Sequence, residues 1–328
     1  MTNAPIVPLL VVLAVAQVAP TAPTAPPPRE IAVDTFLLPG AMLPERGPDG
    51  NTVVFAGPDG LVVVDTGRHP WHSDGILAFA RARRRPIAAI VNTHWHLDHS
   101  SGNGRVKADH KAARVYATTA VDRVLAPEGF LARNLAAAKT RADDATLSAT
   151  RREETALFIA TMASSANLRP DVPVQRSGTL RLAGRPLSAR VAINAVTDAD
   201  LWLYDDATRV AVIGDLVTLP APFFETACPA RWQVALDEVW ATPFQLAVPG
   251  HGEPMTRAQF DTYRQAFAAF RACVAGDGAA AACADAWTKA VGPLLATEAD
   301  RKEATGYATY YVDFLRKNGG NSPDCKVK

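Results

Sequence analysis

The 328 residues carry almost no excess charge, no C-x-x-C pair among four cysteines, no internal repeat and no apolar run long enough to span a bilayer. Each absence excludes something. A net charge of +1 offers no whole-chain attraction to a polyanion or a membrane surface. With no clustered basic-aromatic surface either, nucleic acid is not an expected partner. The one basic run, "RARRRP" at 81–86, reads as a solvated helix face. Cysteines outside C-x-x-C spacing argue against a thiolate zinc site. Without a period of 20–50 residues, repeat architectures drop out.

The first apolar stretch, Ile6 to Leu13, is too short for a spanning helix. It is followed by Ala14-Val15-Ala16, an A-x-A cleavage pattern, and so reads as an export signal over 1–16. No Lys or Arg precedes it, which leaves an incorrect start site or an uncleaved anchor as alternatives. The Pro-rich "APTAPTAPPPRE" then predicts an extended tether over 17–30. The expectation is a periplasmic or extracellular protein with no stable membrane insertion after signal removal. The cysteines fit export. Cys273 and Cys283 flank a Gly-rich turn, where a disulfide would staple a helical hairpin, and Cys228 with Cys325 would form a second. The alternative is four buried thiols.

The chain is 48% hydrophobic, enough for a sizeable core, and its folded part is expected over residues 31–328. They are expected to form one domain with a helical C-terminal extension. "TVVFAG" (52–57) and "GLVVVDTG" (60–67) read as strands joined by Pro58-Asp59-Gly60. Helix is predicted over 73–84 with Ser73 as N-cap, and a buried strand over 86–93. A strand at 113–118 precedes a long helix over 131–165. Strands follow at 178–184, 188–196, 201–206 and 209–217. A helix over 229–242, a strand over 245–250, a helix over 255–273 and helical residues 282–317 complete the chain. Two blocks, each with strands first and helices after, predict an α/β (α+β) sandwich of two sheets with helices outside.

Within "VNTHWHLDHS" (91–100), three histidines and an aspartate fall in six positions at the end of an apolar strand. Extended residues two apart point the same way, so His94 and His96 can meet one metal ion. Asp98 and His99 come as the chain turns and can serve a second. Zinc accepts this mixture of ligands. Asp215 in "VAVIGDLV" ends another apolar strand, where a lone charge is costly unless paired or metal-bound. His251 in "AVPGHGEP" follows a third, between two glycines that permit close approach of backbone. All of these strand ends would share one rim.

HWHLDH, preceded by VVVDTG and followed by IGDLV and VPGHG in this order, resembles the metallo-β-lactamase superfamily over roughly residues 50–255. The resemblance implies a four-layer αβ/βα sandwich with a metal site at one edge. It implies His94 and His96 at a first zinc, Asp98, His99 and His251 at a second, Asp215 bridging, and Asp65 ordering the ligand loop from behind. One ligand of that pattern is missing. The family's remaining first-site histidine precedes a T-x-x-D-like turn; in "NAVTDADLWLY", Thr197, Asp198 and Asp200 fit, but the histidine position holds Val196. None of the seven histidines lies between 111 and 250. One or two zinc ions are therefore expected, the second site tighter. Asn194, Asp198, His69 and His72 are the conceivable stand-ins.

Water on zinc ionises near pH 7 and attacks carbonyl or phosphoryl centres. The expectation is an exported zinc-dependent hydrolase of a small-molecule ester, lactone, thioester or lactam, acting through a metal-bound hydroxide, with Asp98 orienting the water or taking its proton. The resemblance leaves a β-lactamase proper as one alternative, although lactamases generally carry Cys or Ser where Asp215 stands. A non-catalytic or degenerate metal-binding protein is the other. Trp95 reads as packing or as lining the pocket mouth, and Phe223 and Phe224 as core or as contacts to an apolar substrate group. The helical stretch 131–165 would lie beside the site as a lid.

Overall fold

The computed structural model describes residues 26–326. The expected export signal, 1–16, and residues 17–25 of the expected tether lie outside the described residues. Among the described residues, two sheets pack face to face, with helices on both outer sides.

The first sheet has seven strands in chain order. β1 (Arg29–Ala32) and β2 (Thr35–Leu38) lead antiparallel into the hairpin of β3 (Thr52–Gly57) and β4 (Gly60–Val64). Helix α1 (Pro70–Arg83) crosses over to β5 (Ile87–Val91), parallel to β4. Short helices α2 (Leu97–Ser100) and α3 (Asn103–Asp109) precede β6 (Arg114–Ala117). Helices α4 (Ala120–Leu125), α5 (Phe130–Arg141) and α6 (Ala149–Ala163) come before the edge strand β7 (Val172–Pro173).

The second sheet has the order β13-β12-β11-β10-β9-β8. Strands β8 (Gly178–Leu182), β9 (Arg185–Ile193), β10 (Ala199–Asp205) and β11 (Val210–Thr218) form a meander. Helix α7 (Pro229–Ala241) returns the chain to β12 (Leu246–His251), parallel to β11, and β13 (Met255–Thr256) closes the edge. Helices α8 (Arg257–Ala275), α9 (Ala280–Val291) and α10 (Glu298–Lys317) end the chain. No helix among the described residues is long and apolar enough to cross a membrane.

Strand periodicity explains the four layers. Successive side chains face opposite sides of a sheet. Val53, Phe55, Val62 and Val64 of the first sheet meet Leu201, Leu203, Val210 and Val212 of the second in the central layer. Their alternates Val54, Leu61 and Val63 face outward and pack under Ile76, Leu77 and Phe79 of α1. On the other outer face, Trp202 and Ile213 pack with Trp232 of α7, Phe260, Phe267 and Phe270 of α8, and Trp287 of α9.

Several boundaries differ from expectation. Helix α1 starts at Pro70 with His69 as N-cap, not at Ser73, because proline at the first helical positions needs no N–H partner. The long helix over 131–165 is two helices: the Asp144 carboxylate accepts from the N–H and hydroxyl of Thr146, and Ser148 caps α6 through Arg151 N–H. Gly292-Pro293 likewise separates α9 from α10. Strand β1 begins at Arg29, so extended pairing reaches into the end of the expected tether. The strand expected over 188–196 stops at Ile193, and 194–198 form a turn with Asn194 in the left-handed region (φ 57°) and its N–H on the Asp198 carbonyl at 2.9 Å.

Both anticipated disulfides are present. Cys273–Cys283 joins α8 to α9, and Cys228–Cys325 ties the start of α7 to the C-terminal tail.

Candidate metal centre

The site is built where β4, β5, β11 and β12 end. β4 and β5 run parallel in register, so their C-terminal ends lie side by side. Asp65, the residue after β4, is in the left-handed conformation (φ 63°) and 2% exposed. That backbone costs a residue with a Cβ about 1–2 kcal/mol. It turns the carboxylate under the ligand loop. Oδ1 accepts the Thr93 N–H at 2.8 Å, while Oδ2 accepts the Thr93 hydroxyl at 2.7 Å and His99 Nδ1 at 2.8 Å.

These bonds place protons on the outer sides of the rings. Thr93 spends its one hydroxyl proton on Asp65, so its 3.0 Å contact with His94 Nδ1 is an N–H donated by the imidazole. His94 therefore presents a bare Nε2 inward, and that atom is buried without a hydrogen-bond partner. His99 donates Nδ1–H to Asp65, which turns its Nε2 to the other cluster, 3.3 Å from His251 Nε2. On the far side, β11 and β12 are parallel neighbours and deliver Asp215 and His251 to the same rim. A Cβ at Gly250 would overlap Oδ1 of Asp215, so glycine there lets the carboxylate lie against the backbone.

The six candidate ligands form two clusters that share Asp215. His94 Nε2 is 3.6 Å and His96 Nδ1 3.9 Å from Asp215 Oδ2. Asp215 Oδ1 faces the other cluster, 3.1 Å from His99 Nε2 and 3.6 Å from His251 Nε2. Asp98 Oδ2 stands 2.9 Å from His251 Nε2 and 3.4 Å from His99 Nε2. Asp215 Oδ1, like His94 Nε2, is a buried polar atom with no hydrogen-bond partner. Four imidazoles and two carboxylates converge in this buried space, and two of their inward atoms lack a partner, so the donor set fits a metal ion.

Electrostatics follow the packing. Burial, with His99 and His96 alongside, pushes His94 down to about 4, so its lone pair is free at neutral pH. Burial opposes the charge on Asp215, but His99, His251 and His94 hold it well below the usual carboxylate range. Asp98 is likewise held down against burial by His99 and His251. Burial pushes Asp200 up to about 7, against the N–H and hydroxyl bonds it accepts from Thr197.

Val196 is 1% exposed and packs in the core beside Trp202. Three of the conceivable stand-ins are engaged elsewhere. Asp198 is held by Arg123 through both carboxylate oxygens, and His72 Nε2 lies 2.7 Å from the Thr52 hydroxyl. His69 sits between Asp49 (2.8 Å) and Glu154 (2.9 Å). Neither ligand cluster includes these three.

The expected substrate contacts separate. Phe224 is fully buried and stacks with Phe267 and Phe270, which places it in the core. Phe223 is half-buried, with its ring 5.3 Å from that of His96. Trp95 is 5% exposed and packs edge-on to His96 and against Phe130 of α5.

Three features escaped sequence reasoning. Thr93 was marked only by its place before the histidines. Thr226, with its hydroxyl 3.0 Å from His96 Nε2, carried no signal at all. The third is a clasp on α6. Glu154 accepts from Arg46, Arg68, the Gly47 N–H and His69, and Asp49 holds the other side of His69. Burial opposes its charge, but His69 and the Gly47 N–H bring Glu154 down to about 2. The clasp fastens α6 to the loop whose Gly50 packs on the His99 ring.

Comparison with known proteins gives a consistent picture. The family model of the metallo-beta-lactamase superfamily matches residues 46–255. A linear primary-alkylsulfatase from Pseudomonas sp. (strain ATCC 19151) is 26% identical over 216 residues, 61% of this chain and 40% of that protein. The chain thus spans about two fifths of the length of that curated relative. Among solved structures, a metallo-beta-lactamase from Pontibacter korlensis superposes with a TM-score of 0.51 at 16% identity, over 71% of this chain and 94% of its own. A stereoselective inverting sec-alkylsulfatase from Pseudomonas sp. gives 0.58 at 16% identity, over 88% of this chain and 50% of its own. These two likenesses establish the fold. The family match covers more than half of the sequence and takes in every candidate ligand, and the chain belongs to the metallo-beta-lactamase superfamily.

Proposed function

We propose that the protein is an exported, zinc-dependent hydrolase of a small ester or related acyl compound. The observation that carries this reading is the pair of ligand clusters sharing Asp215, with the outward nitrogens of His94 and His99 already hydrogen-bonded. His94, His96 and Asp215 would hold one ion; Asp98, His99, His251 and Asp215 would hold another. An ion bound there supplies a Lewis acid and makes water ionisable near pH 7. The chain's own residues do the rest. Asp98, the more exposed of the two cluster carboxylates, would orient the attacking water and accept its proton. Phe223 offers an apolar edge beside His96 for the organic part of the substrate.

With four protein ligands against three, the second site is the tighter one. Asp215 weighs against a lactamase proper. Similarity to alkylsulfatases adds sulfate esters to the carboxylic esters, thioesters and lactones under consideration. Two disulfides and the N-terminal apolar run support export to an oxidising compartment. The test is an assay of zinc-loaded protein on a linear alkyl sulfate, a thioester and a chromogenic cephalosporin, each with and without chelator. Chelator-sensitive turnover of the sulfate or the thioester supports the reading; turnover of none of the three overturns it.

Val196 favours one second reading, a degenerate site that binds metal without turnover. Val196→His would then raise zinc stoichiometry and switch activity on; an active wild type rules this reading out.

A further inference from the structure

We infer that Thr226 is a positioning residue that fixes the proton of His96 on Nε2 and so aims the Nδ1 lone pair into the first metal cluster. The inference rests on the metal-centre reading above and extends it to a residue outside both clusters.

The direction of the hydrogen bonds follows from the atoms. Thr226 has one hydroxyl proton and two neighbours, the Val196 carbonyl at 2.9 Å and His96 Nε2 at 3.0 Å. A carbonyl can only accept, so the hydroxyl proton goes to Val196. The remaining contact is then His96 Nε2–H donating to the hydroxyl oxygen. The opposite arrangement would leave the carbonyl of a buried residue without this donor. With Nε2 protonated, the neutral ring carries its lone pair on Nδ1, the atom 3.9 Å from Asp215 Oδ2. His94 is set by the same device, through Thr93 and Asp65, but with the opposite nitrogen facing inward.

Position 196, which supplies no ligand, thus still reaches the site through its backbone. The relay is held at both ends. Cys228 N–H bonds the Ala195 carbonyl at 2.9 Å, joining the loop of Thr226 to the turn of Val196. The Cys228–Cys325 disulfide and Ser322 then tie that loop to the C-terminal tail: Ser322 N–H reaches the Ala227 carbonyl at 3.2 Å, and its hydroxyl reaches the Glu225 carbonyl. Thr226 is 4% exposed, so solvent does not replace its hydroxyl.

Two variants separate a positioning role from a packing one. Thr226→Val keeps the size and removes the relay; Thr226→Ser keeps the hydroxyl. The first measurement is nitrogen–proton correlation of the histidine rings in metal-free protein, well above the ordinary histidine pKa of about 6.5. Wild type and Thr226→Ser should show His96 protonated on Nε2, and Thr226→Val should lose that preference while His94 keeps its proton on Nδ1. The second is calorimetric titration with zinc. Thr226→Val should weaken the looser ion by about 10- to 100-fold and leave the tighter one unchanged, with Thr226→Ser close to wild type. His96 protonated on Nδ1 in wild type, or an unchanged looser ion in Thr226→Val, overturns the inference. Wild type that keeps the Nε2 proton yet takes up no zinc overturns the metal-centre reading, and the role of Thr226 falls with it, though the hydrogen bond stands.

Discussion

Asp65→Asn is the sharpest test of how the ligand loop is ordered. The carboxylate accepts three hydrogen bonds, from Thr93 N–H, the Thr93 hydroxyl and His99 Nδ1. Asparagine has the same shape and tolerates the left-handed backbone of position 65, so the fold is kept. It replaces one accepting oxygen with a donor, and both amide orientations fail. If the amide nitrogen takes the place of Oδ1, it opposes the Thr93 N–H and leaves a buried donor unpaired, a cost of about 1–3 kcal/mol. If it takes the place of Oδ2, it opposes both the Thr93 hydroxyl and His99 Nδ1–H. His99 must then move its proton to Nε2, which points at Asp215 Oδ1 from 3.1 Å, where an ion would sit. Supporting residues of this kind are typically worth 10- to 100-fold in metal affinity, or about 1.4–2.8 kcal/mol. Because Thr93 also sets His94, both ions should weaken. Competition against a chromophoric chelator measures the affinity, and melting of the metal-free protein checks the fold. Zinc affinity equal to wild type, in a variant with an intact fold, would refute the claim that Asp65 governs the proton on His99.

Four further outcomes follow. Gly250→Ala drives a methyl group into Asp215 Oδ1 and should abolish uptake of both ions while the metal-free protein still melts cooperatively; zinc binding by this variant would mean the carboxylate has room to move. Glu154→Gln opens the α6 clasp. Glu154 in the folded protein is depressed to about 2 from 4.5, so its contribution is full above pH 4.5 and is lost as pH falls toward 2. The gap in melting temperature between wild type and Glu154→Gln should therefore close over that window; a gap constant with pH contradicts the assignment. Breaking Cys273–Cys283, which closes 10 residues, should cost about 3 kcal/mol, and breaking Cys228–Cys325, which closes 97, about 5 kcal/mol, read from denaturant midpoints of the serine variants. Loss of the longer bridge should also weaken the looser ion, because it frees the loop of Thr226, whereas loss of the shorter one should not.

What was legible in the sequence is what depends on local patterning. Short β-branched runs marked β3 and β4, and a run of leucines and aromatics marked β10, because one face of each strand must be buried between the sheets and the other beneath helices. The histidines stood out because imidazoles crowded at a strand end have little structural use. What escaped depends on partners remote in the chain. Strands β1 and β2 are four residues each and are extended because β3 receives β2 and β2 receives β1. The division of α5 from α6 rests on Asp144 and Ser148 turning back on the backbone, a competition that a count of helix formers does not register. Glu154 reads in sequence as one more exposed helix charge, and its depth comes from Arg46, Arg68 and His69.

The two halves of the metal centre differ in the same way. In the half proposed to be tighter, Asp98 and His99 are adjacent, and Asp65 supports His99 from the end of the neighbouring strand. Its quality rests on ligands that a motif displays. In the half proposed to be looser, Val196 supplies no side-chain ligand, and His96 bonds a threonine 130 residues away, held in a loop tied down by a disulfide. On the proposed reading, affinity at that half should depend on residues that touch no ion, and should respond to the oxidation state of Cys228 and the seating of the C-terminal tail. A substitution in that tail, at Ser322 for example, should therefore change the looser ion alone, a selectivity that general destabilisation would not produce.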